Sequence, residues 1–348
     1  MSTLSICVIA KNEEDIIGKS LSSVKNFADE IIVVDTGSTD NTVSIAKEFT
    51  DKVFNFKWID DFSAAHNSSA DKATMDYIFR WDADFIATDE AIDSIKSLKK
   101  LNFKNSNLIS GLWNNIDSKT GLPYGNIRRN FIYKRGEFKS VSPIHSTISN
   151  LPGVKTKPLY EPELIINHYK DRVTKQFRYD QSFEIIKKAL KNDPKNQHLR
   201  FHFILALVIN HDFTKALTEI NKYLDEWPDD IPSRTLLILE KKLACLVRMG
   251  EPDQIALLLD KYTKLSKYPQ FQLLEADVFA VLGDSEAVNK YTEFLNHNYQ
   301  ISDFAGHYNY SRYKLHPLKV LAQIDSNKNR EAWQSKLLRA SKKYASSY

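Results

Sequence analysis

The chain has 348 residues, of which 42% are hydrophobic and 26% charged, with a net charge of +4. This length allows two domains of ordinary size with separate cores, and the composition is typical of a globular protein. The mild charge does not indicate nucleic-acid binding, and no run approaches the roughly 18 apolar residues of a membrane span. Weak peripheral association with an anionic membrane surface stays open.

Two features favour a cytoplasmic location. The N-terminal segment MSTLSICVIAKNEED has neither the basic region nor the cleavage site of a secretory signal, and it predicts a first strand instead. Cys7 and Cys245 lie far apart, without the spacing of metal ligands or of a redox pair. Such cysteine usage fits a reducing compartment.

The first hundred residues alternate between strand and helix patterns. Strands are predicted at LSICVIA, EIIVVD, KVFNF and YIFRW, and helices at NEEDIIGKSLSSVKNF and VSIAKEF. This order predicts a mainly parallel sheet with helices on both faces. Beyond Asn107 the pattern becomes β-rich and irregular.

From about Thr174 the pattern is helical, and the remaining glycines are Gly250, Gly283 and Gly306. Pro194 and Pro228 are 34 residues apart, and Gly250 and Gly283 are 33 apart. That period suits stacked tetratricopeptide-like repeats, with an unrelated helical bundle as the alternative. We therefore predict an α/β domain over residues 1–172 and an all-α domain over residues 173–348.

Three polar clusters follow predicted strands: AKNEE after the first, DTGSTDNT after the second and DADF after the fourth. Ligands of open α/β sheets bind at the carboxyl ends of strands. Asp82 and Asp84, two residues apart, project to the same side of an extended chain. Paired carboxylates suit a hard cation such as Mg²⁺ or Mn²⁺, whose open positions phosphate oxygens can fill. Because no glycine-rich phosphate loop is present, a diphosphate is expected to be a leaving group and not a phosphoryl donor.

The segments SICVIAKNEEDII, EIIVVDTGSTDNTVSIAKEF, WIDDFSAAHN and DYIFRWDAD together resemble family 2 glycosyltransferases of the GT-A fold. More narrowly, they are similar to the branch with a C-terminal tetratricopeptide domain, which includes bacteriocin S-glycosyltransferases and enzymes of cell-surface glycans. The resemblance covers about the first 170 residues closely and the helical half in architecture only. It implies a Rossmann-like mixed sheet, a UDP-sugar donor, Mn²⁺ or Mg²⁺, and a peptide, protein or glycan acceptor.

The same resemblance assigns site residues. Asp82 matches the first aspartate of the DXD motif, which contacts ribose and sugar, while Asp84 matches the metal ligand. His168, in IINHYKD, matches a histidine that completes the metal site, and Asp35 matches the residue that binds the base. The other nucleotide-sugar candidates are Ala10, Lys11, Glu13, His66, Asn67, Arg128 and Arg129. Without the resemblance, His168 would be a packed strand-end histidine, and the two arginines would be surface charges.

Three positions depart from the family pattern. The family often has Arg-Asn where this chain has His66-Asn67, and Arg80 replaces a usual apolar residue before the DXD motif. The family's His-Glu near the acceptor becomes His145-Ser146. If that glutamate is the general base, Ser146 cannot replace it, whereas His145 can accept a proton. Other candidates for the base, by chain proximity alone, are Glu137, Glu161 and Glu163.

These observations predict an inverting, metal-dependent glycosyltransferase with Asp82, Asp84 and His145 as catalytic residues. The helical domain would present the acceptor or join two copies in a homodimer. The alternative is a non-catalytic helical-repeat scaffold with a degenerate sugar-nucleotide-binding domain. A nucleotidyltransferase is disfavoured, because AKNEED lacks the glycine-rich, basic character that such an enzyme needs after the first strand.

Overall fold

The computed structural model describes residues 1–121, 123–170, 175–228, 230–297, 299, 310–324 and 334–336. The chain divides into two compact units, Met1–Asn192 and Asp193–Tyr348. The first contains a sheet and the second is helical, so the predicted order of an α/β domain and an all-α domain is confirmed. The predicted boundary near residue 172 falls outside the described residues.

Strands of the first unit are β1 (Leu4–Ala10), β2 (Glu30–Asp35), β3 (Val53–Asn55), β4 (Tyr77–Asp82), β5 (Phe85–Ala87), β6 (Leu108–Asp117), β7 (Pro123–Lys134), β8 (Phe138–Val141), β9 (Thr147–Asn150) and β10 (Pro158–Lys170). Its helices are α1 (Ile17–Val24), α2 (Thr42–Lys47), α3 (Phe62–Ala70), α4 (Asp89–Lys100) and α5 (Lys175–Asn192), with a short 3₁₀ helix at Asn102–Asn105. The large sheet has the order β3-β2-β1-β4-β7-β6-β10-β5, and β8 pairs with β9 separately.

The large sheet is parallel on one side and mixed on the other. Strands β3, β2, β1 and β4 run parallel, so their carboxyl ends share one edge, as the sequence predicts. Strand β7 is antiparallel to both β4 and β6, while β10 runs parallel to β6 and antiparallel to β5. Three strands of the irregular region after Asn107, β6, β7 and β10, therefore belong to the same sheet, whereas β8 and β9 do not.

Strand β10 is interrupted by a bulge opposite β6. Tyr160 pairs with Ser110, but the next paired residue, Ile165, faces Leu112. The intervening backbone crosses closely over Gly111, where a Cβ would lie 2.2 Å from the carbonyl oxygen of Leu164. Only glycine fits this approach.

Strand β4, which ends at Asp82, is fixed by aromatic packing on the face opposite Arg80 and Asp82. The rings of Phe79 and Trp81 meet edge to face at 4.9 Å, and those of Trp81 and Phe85 at 5.5 Å. Trp81 Nε1 donates a hydrogen bond of 2.8 Å to Ser20 Oγ on α1. Because all three aromatic side chains are buried, Asp82 and Asp84 extend from a rigid support.

A buried carboxylate at the start of β2 makes stability depend on pH. Burial alone would raise the pKa of Glu30, but hydrogen bonds from Lys52, Ser5 and Thr74 lower it from 4.5 to about 2. A folded-state pKa below the unfolded value stabilises the fold above pH 4.5, and this contribution is lost as pH falls towards 2. The loss should be about 3 kcal/mol.

We therefore expect the free energy of unfolding to fall between pH 4.5 and 2, and Glu30→Gln to remove about that much of the fall. Urea denaturation at a series of pH values would measure both proteins. Glu48→Gln, at an exposed glutamate after α2, is the matched control and should keep the wild-type dependence. An unchanged pH profile in Glu30→Gln would contradict this assignment.

Helices of the second unit are α6 (Gln197–Ile209), α7 (Phe213–Glu226), α8 (Pro232–Met249), α9 (Pro252–Ala256), α10 (Pro269–Val281), α11 (Glu286–Asn296) and α12 (Tyr310–Ile324), with a 3₁₀ helix at Asp260–Leu265. Gly250 and Gly283, with φ of 72° and 74°, follow the ends of α8 and α10. The 33-residue spacing thus marks equivalent helix ends. Gly306 lies outside the described residues. No helix within the described ranges has the length and hydropathy needed to cross a membrane.

Candidate active site

A cleft of about 1120 Å³ opens in the first unit at the carboxyl ends of β1 and β4. Its lining contains most of the residues predicted for the site: Ala10, Lys11, Glu13, His66, Asp82, Asp84, Arg129, His145 and His168. The lining does not include the three other candidates: Asp35, Asn67 and Arg128. The polar strand ends therefore meet in one place, as expected for a shared ligand site.

The structure brings together Asp84 and His168, which lie 84 positions apart in the sequence. Asp84 lies in the turn after β4, and His168 lies near the end of β10, where it pairs with Phe85. His168 Nε2 and Asp84 Oδ2 are 3.0 Å apart, and both side chains are largely buried. The backbone reinforces the contact, because Tyr169 N donates to Asp84 O.

His168 is held by its neighbours on three sides. Its Nδ1 lies 3.0 Å from Asn115 Oδ1, and its ring meets the rings of Trp113 and Phe85 edge to face at 4.6 and 5.3 Å. In the tautomer in which Nδ1 donates to Asn115, Nε2 carries a lone pair and can bind a cation beside Asp84. Such an outer hydrogen bond is the usual support of a metal-binding histidine.

The pair fits a divalent cation. Two ligand atoms in adjacent octahedral positions, each about 2.1 Å from the ion, lie about 3.0 Å apart, which is the separation of His168 Nε2 and Asp84 Oδ2. Among the residues that the structure describes, no group of three or more His, Cys, Asp or Glu side chains could hold a metal. Two protein ligands suit Mg²⁺ or Mn²⁺, which leave their other positions to water and phosphate.

His66 lies beside the first aspartate of the DXD motif. Its Nε2 is 3.6 Å from Asp82 Oδ1, a proximity and not a hydrogen bond. Burial, followed by the nearby charges of Arg80 and Arg129, lowers the pKa of His66 well below its usual value. The imidazole is therefore neutral at physiological pH.

Two of the candidates outside the cleft lining form hydrogen bonds within the protein. The Asp35 carboxylate accepts hydrogen bonds from Gly37 N and Ser38 N, so it organises the turn after β2. Asn67 exchanges two hydrogen bonds, of 2.8 and 2.9 Å, with the backbone of Ser140 and so ties α3 to β8.

The predicted arginine pair divides between two environments. Arg129 reaches the cleft and stacks on Trp113, with its guanidinium carbon 3.8 Å from the ring centre. Arg128 instead bonds to Ser110 Oγ and stacks on Tyr160 at 4.3 Å. Successive residues of a strand face opposite ways, so only one of the two can face the cleft.

The loop between β8 and β9 places one candidate base in the cleft. His145 is exposed there and has a φ of 49°. Ser146 is buried, and its carbonyl oxygen accepts a hydrogen bond of 2.9 Å from Arg80 Nη1. The three glutamates proposed by chain proximity, Glu137, Glu161 and Glu163, do not appear in the cleft lining.

Sequence reasoning missed one wall of the cleft. Trp58 and Asp60 line it from the loop before α3, and Phe62 lines it from the first position of α3, together with a face of α5. Lys188 Nζ of α5 lies 2.8 Å from Asp60 Oδ2, and Trp58 Nε1 donates to Asp60 Oδ1. The i, i+3, i+4 spacing of Glu184, Lys187 and Lys188 could have indicated a common helix face, but not the surface that this face covers.

The family model for glycosyl transferase family 2 matches residues 5–154. Residues 5–154, less than half of the chain, are thus similar to a family 2 glycosyltransferase domain. The match ends before His168 and before the helical unit, so it includes Asp82 and Asp84 but not the histidine.

Curated relatives match part of the chain. A TPR repeat-containing protein of Synechococcus elongatus is 30% identical over 209 residues, which is 57% of this chain and 51% of that protein. Glycosyltransferase SunS of Bacillus phage SPbeta is 37% identical over 132 residues, which is 37% of this chain and 31% of SunS. The chain thus spans about half of the first relative and about a third of the second.

Solved structures with related architecture include S. aureus TarS 1–349, which is 15% identical with a TM-score of 0.37 and covers 86% of this chain and 93% of that one. Glucosyl-3-phosphoglycerate synthase from Mycobacterium tuberculosis, solved with Mn²⁺ and UDP-glucose, is 22% identical with a TM-score of 0.29. That match covers 32% of this chain and 44% of the synthase.

Proposed function

We propose that the glycosyltransferase domain transfers a sugar, with inversion, from a UDP-sugar to a peptide, a protein or a cell-surface glycan, using Mn²⁺ or Mg²⁺. The observation that carries this proposal is the pairing of Asp84 with His168 at 3.0 Å, beside Asp82 in the cleft. The family 2 match and the glycosyltransferase named among the relatives support the reaction class.

The charges of the cleft suit a metal-bound diphosphate. On the side formed by the sheet, the lining groups are Lys11, Arg80, Arg129, Glu13, Asp82 and Asp84. Three are cations and three are anions, and His66 is neutral. A divalent ion would therefore leave two positive charges, which balance the two negative charges of a nucleotide diphosphate that carries an uncharged sugar.

In this mechanism Asp84 and His168 would hold the ion, and the ion would supply positive charge to stabilise the diphosphate as a leaving group. Asp82 contacts the ribose and the sugar, and the acceptor attacks the anomeric carbon on the face opposite the diphosphate. His145 takes the acceptor proton, since it is the candidate base that lines the cleft. Lys11, Glu13 and Ala10 contact the nucleotide, and Asp35 shapes the loop that would contact the nucleotide's base.

A donor panel tests the proposal. We expect the purified full chain to hydrolyse one UDP-sugar slowly in the presence of Mn²⁺ and to lose this activity in EDTA, because the diphosphate would leave without charge stabilisation. UDP- and GDP-sugars, each with and without Mn²⁺, would be followed by the release of UDP or GDP. A chain that neither binds nor hydrolyses any donor would contradict the proposal.

One observation favours a second function. Ser146 stands where the family has a carboxylate, and its carbonyl is engaged by Arg80. A non-catalytic scaffold with a sugar-nucleotide-binding domain would keep the Asp84–His168 pair without a base. That protein would bind UDP with Mn²⁺ as tightly as an enzyme does, but it would turn over no donor in the panel.

Truncation separates donor binding from acceptor use. We expect residues 1–192 to bind UDP and Mn²⁺ like the full chain, because this unit contains the whole cleft lining, α5 included. Transfer to the true acceptor should fall, since the helical unit is proposed to present the acceptor or to join two copies. Calorimetry with UDP would compare residues 1–192, residues 1–172 and the full chain. An insoluble 1–192 fragment would show that the helices complete the catalytic core.

A further inference from the structure

Arg80 places a cation in the floor of the cleft. It precedes Asp82 by two residues on β4, so both side chains project to the same face, about 7 Å apart along the strand. Within the described part of the chain, its guanidinium donates only to Ser146, at 2.9 Å to the carbonyl oxygen and 3.5 Å to the hydroxyl. A guanidinium has five N–H donors, so most of its hydrogen-bonding capacity faces the cleft.

His66 supplies a polar atom at the same place. The residue is only 4% exposed, and its Nε2 lies 3.6 Å from Asp82 Oδ1, too far for a hydrogen bond. Its Nδ1, which has no hydrogen-bond partner among the described residues, is fully buried and out of reach of a molecule in the cleft. Since His66 lines the cleft next to Asp82, Nε2 is the atom that a bound molecule can contact.

We propose that Arg80, His66 and Ser146 form the pocket for the hydroxyl groups of the transferred sugar, with Arg80 as the residue that determines donor-sugar specificity. This inference rests on the proposed function. A sugar hydroxyl can accept from the Arg80 guanidinium and donate to the imidazole of His66 in one geometry, which a phosphate without protons cannot do. The diphosphate belongs with the metal at Asp84, so the sugar is the part of the donor left for this pocket.

The charge around Arg80 favours an uncharged sugar. The carboxylate of Asp82 lies on the same face and offsets the guanidinium, and His66 carries no charge. A sugar carboxylate would meet Asp82 as well as Arg80. We therefore assign the pocket to the hydroxyls of a neutral hexose and not to a uronic acid.

The test compares wild type with Arg80→Met, using the UDP-hexose that the wild type hydrolyses fastest and its singly deoxygenated analogues. UDP with Mn²⁺ should still bind Arg80→Met, more weakly because one cation of the cleft is lost, and this binding also shows that the variant is folded. In the wild type, removal of one particular hydroxyl should lower kcat/KM for hydrolysis by roughly 10- to 100-fold. With the parent donor, Arg80→Met should have a kcat/KM that is lower than that of wild type by a similar factor. Removal of the same hydroxyl from the donor should then lower the kcat/KM of Arg80→Met little further.

Arg135→Met is the matched control, because Arg135 also donates to a backbone carbonyl, that of Met75 at 2.7 Å, but does not line the cleft. It should behave as wild type with every donor. Arg80→Lys, which keeps the charge without the fork, should fall between wild type and Arg80→Met.

Three results would overturn the inference. Arg80→Met could hydrolyse all donors like wild type, or its kcat/KM could fall by the same factor as that of wild type when the hydroxyl is removed. The third is a wild-type preference for a UDP-uronic acid. If Arg80→Met does not fold, equal sensitivity of Arg80→Lys and wild type to every deoxygenation overturns it. Failure of wild type to bind UDP would instead refute the proposed function and the inference with it.

Discussion

Asp84→Ala is expected to abolish Mn²⁺-dependent UDP binding and donor hydrolysis while the fold persists. The mutation removes one of the two side chains proposed to hold the ion and leaves His168 alone. Loss of a group that only supports a ligand typically costs ten- to a hundredfold in metal affinity, so loss of a ligand itself should cost more than about a hundredfold. Titration calorimetry with UDP, with and without Mn²⁺, would measure the effect.

Asp93→Ala is the control for this experiment, because Asp93 is an exposed residue of α4 that does not line the cleft. It should bind UDP and Mn²⁺ like wild type. If Asp84→Ala bound UDP and Mn²⁺ with wild-type affinity, the metal assignment would be wrong. Unchanged donor hydrolysis by the wild type in EDTA would contradict the assignment independently.

His168→Ala is expected to lower Mn²⁺ affinity by at least roughly a hundredfold and turnover with it, but to preserve metal-free UDP binding. The imidazole would act on the ion and not on the nucleotide, so the two affinities should separate. Manganese titration followed by electron paramagnetic resonance would give the metal affinity directly. His168 is buried, so thermal unfolding of the variant must be recorded alongside.

Asn115→Ala offers a graded comparison, because Asn115 contacts His168 Nδ1 and would affect the ion only through the imidazole. We expect a loss of about ten- to a hundredfold in Mn²⁺ affinity, smaller than that of His168→Ala. Equal Mn²⁺ affinity in wild type and His168→Ala would show that the histidine is a packing residue of the sheet edge.

Much of the fold was predictable, because strand ends and helix ends leave local signals. β-branched runs ending in polar clusters indicated β1, β2 and β4, and the spacing of Gly250 and Gly283 indicated equivalent helix ends. The meeting of Asp84 with His168 came from the family resemblance and not from periodicity. No pattern in the chain shows that β10 returns beside β5.

The rest depended on which way side chains turn and on surfaces that meet over long sequence distances. Alternation along β7 could have separated Arg128 from Arg129 once the strand was known. The hydrogen bonds of Asn67 to Ser140 and the contact of Lys188 with Asp60 join residues 73 and 128 positions apart. Propensity and periodicity carry no information about such contacts.

The bulge in β10 separates the first segment of this strand from the segment that carries His168, the proposed metal ligand. Between the pairs Tyr160–Ser110 and Ile165–Leu112, β10 advances five residues while β6 advances two. β10 thus has three more residues than β6 in this interval. Because side chains alternate between the two faces of a strand, an odd number of extra residues exchanges the faces. The face that the segment before the bulge presents is thus set, relative to His168, by whether the bulge has an odd or an even number of extra residues. Loss of one residue between Tyr160 and Ile165 would exchange the faces of the preceding segment relative to His168, whereas loss of two would keep them. A change in the length of this segment is therefore expected to preserve both faces only in steps of two, with Gly111 retained beneath it.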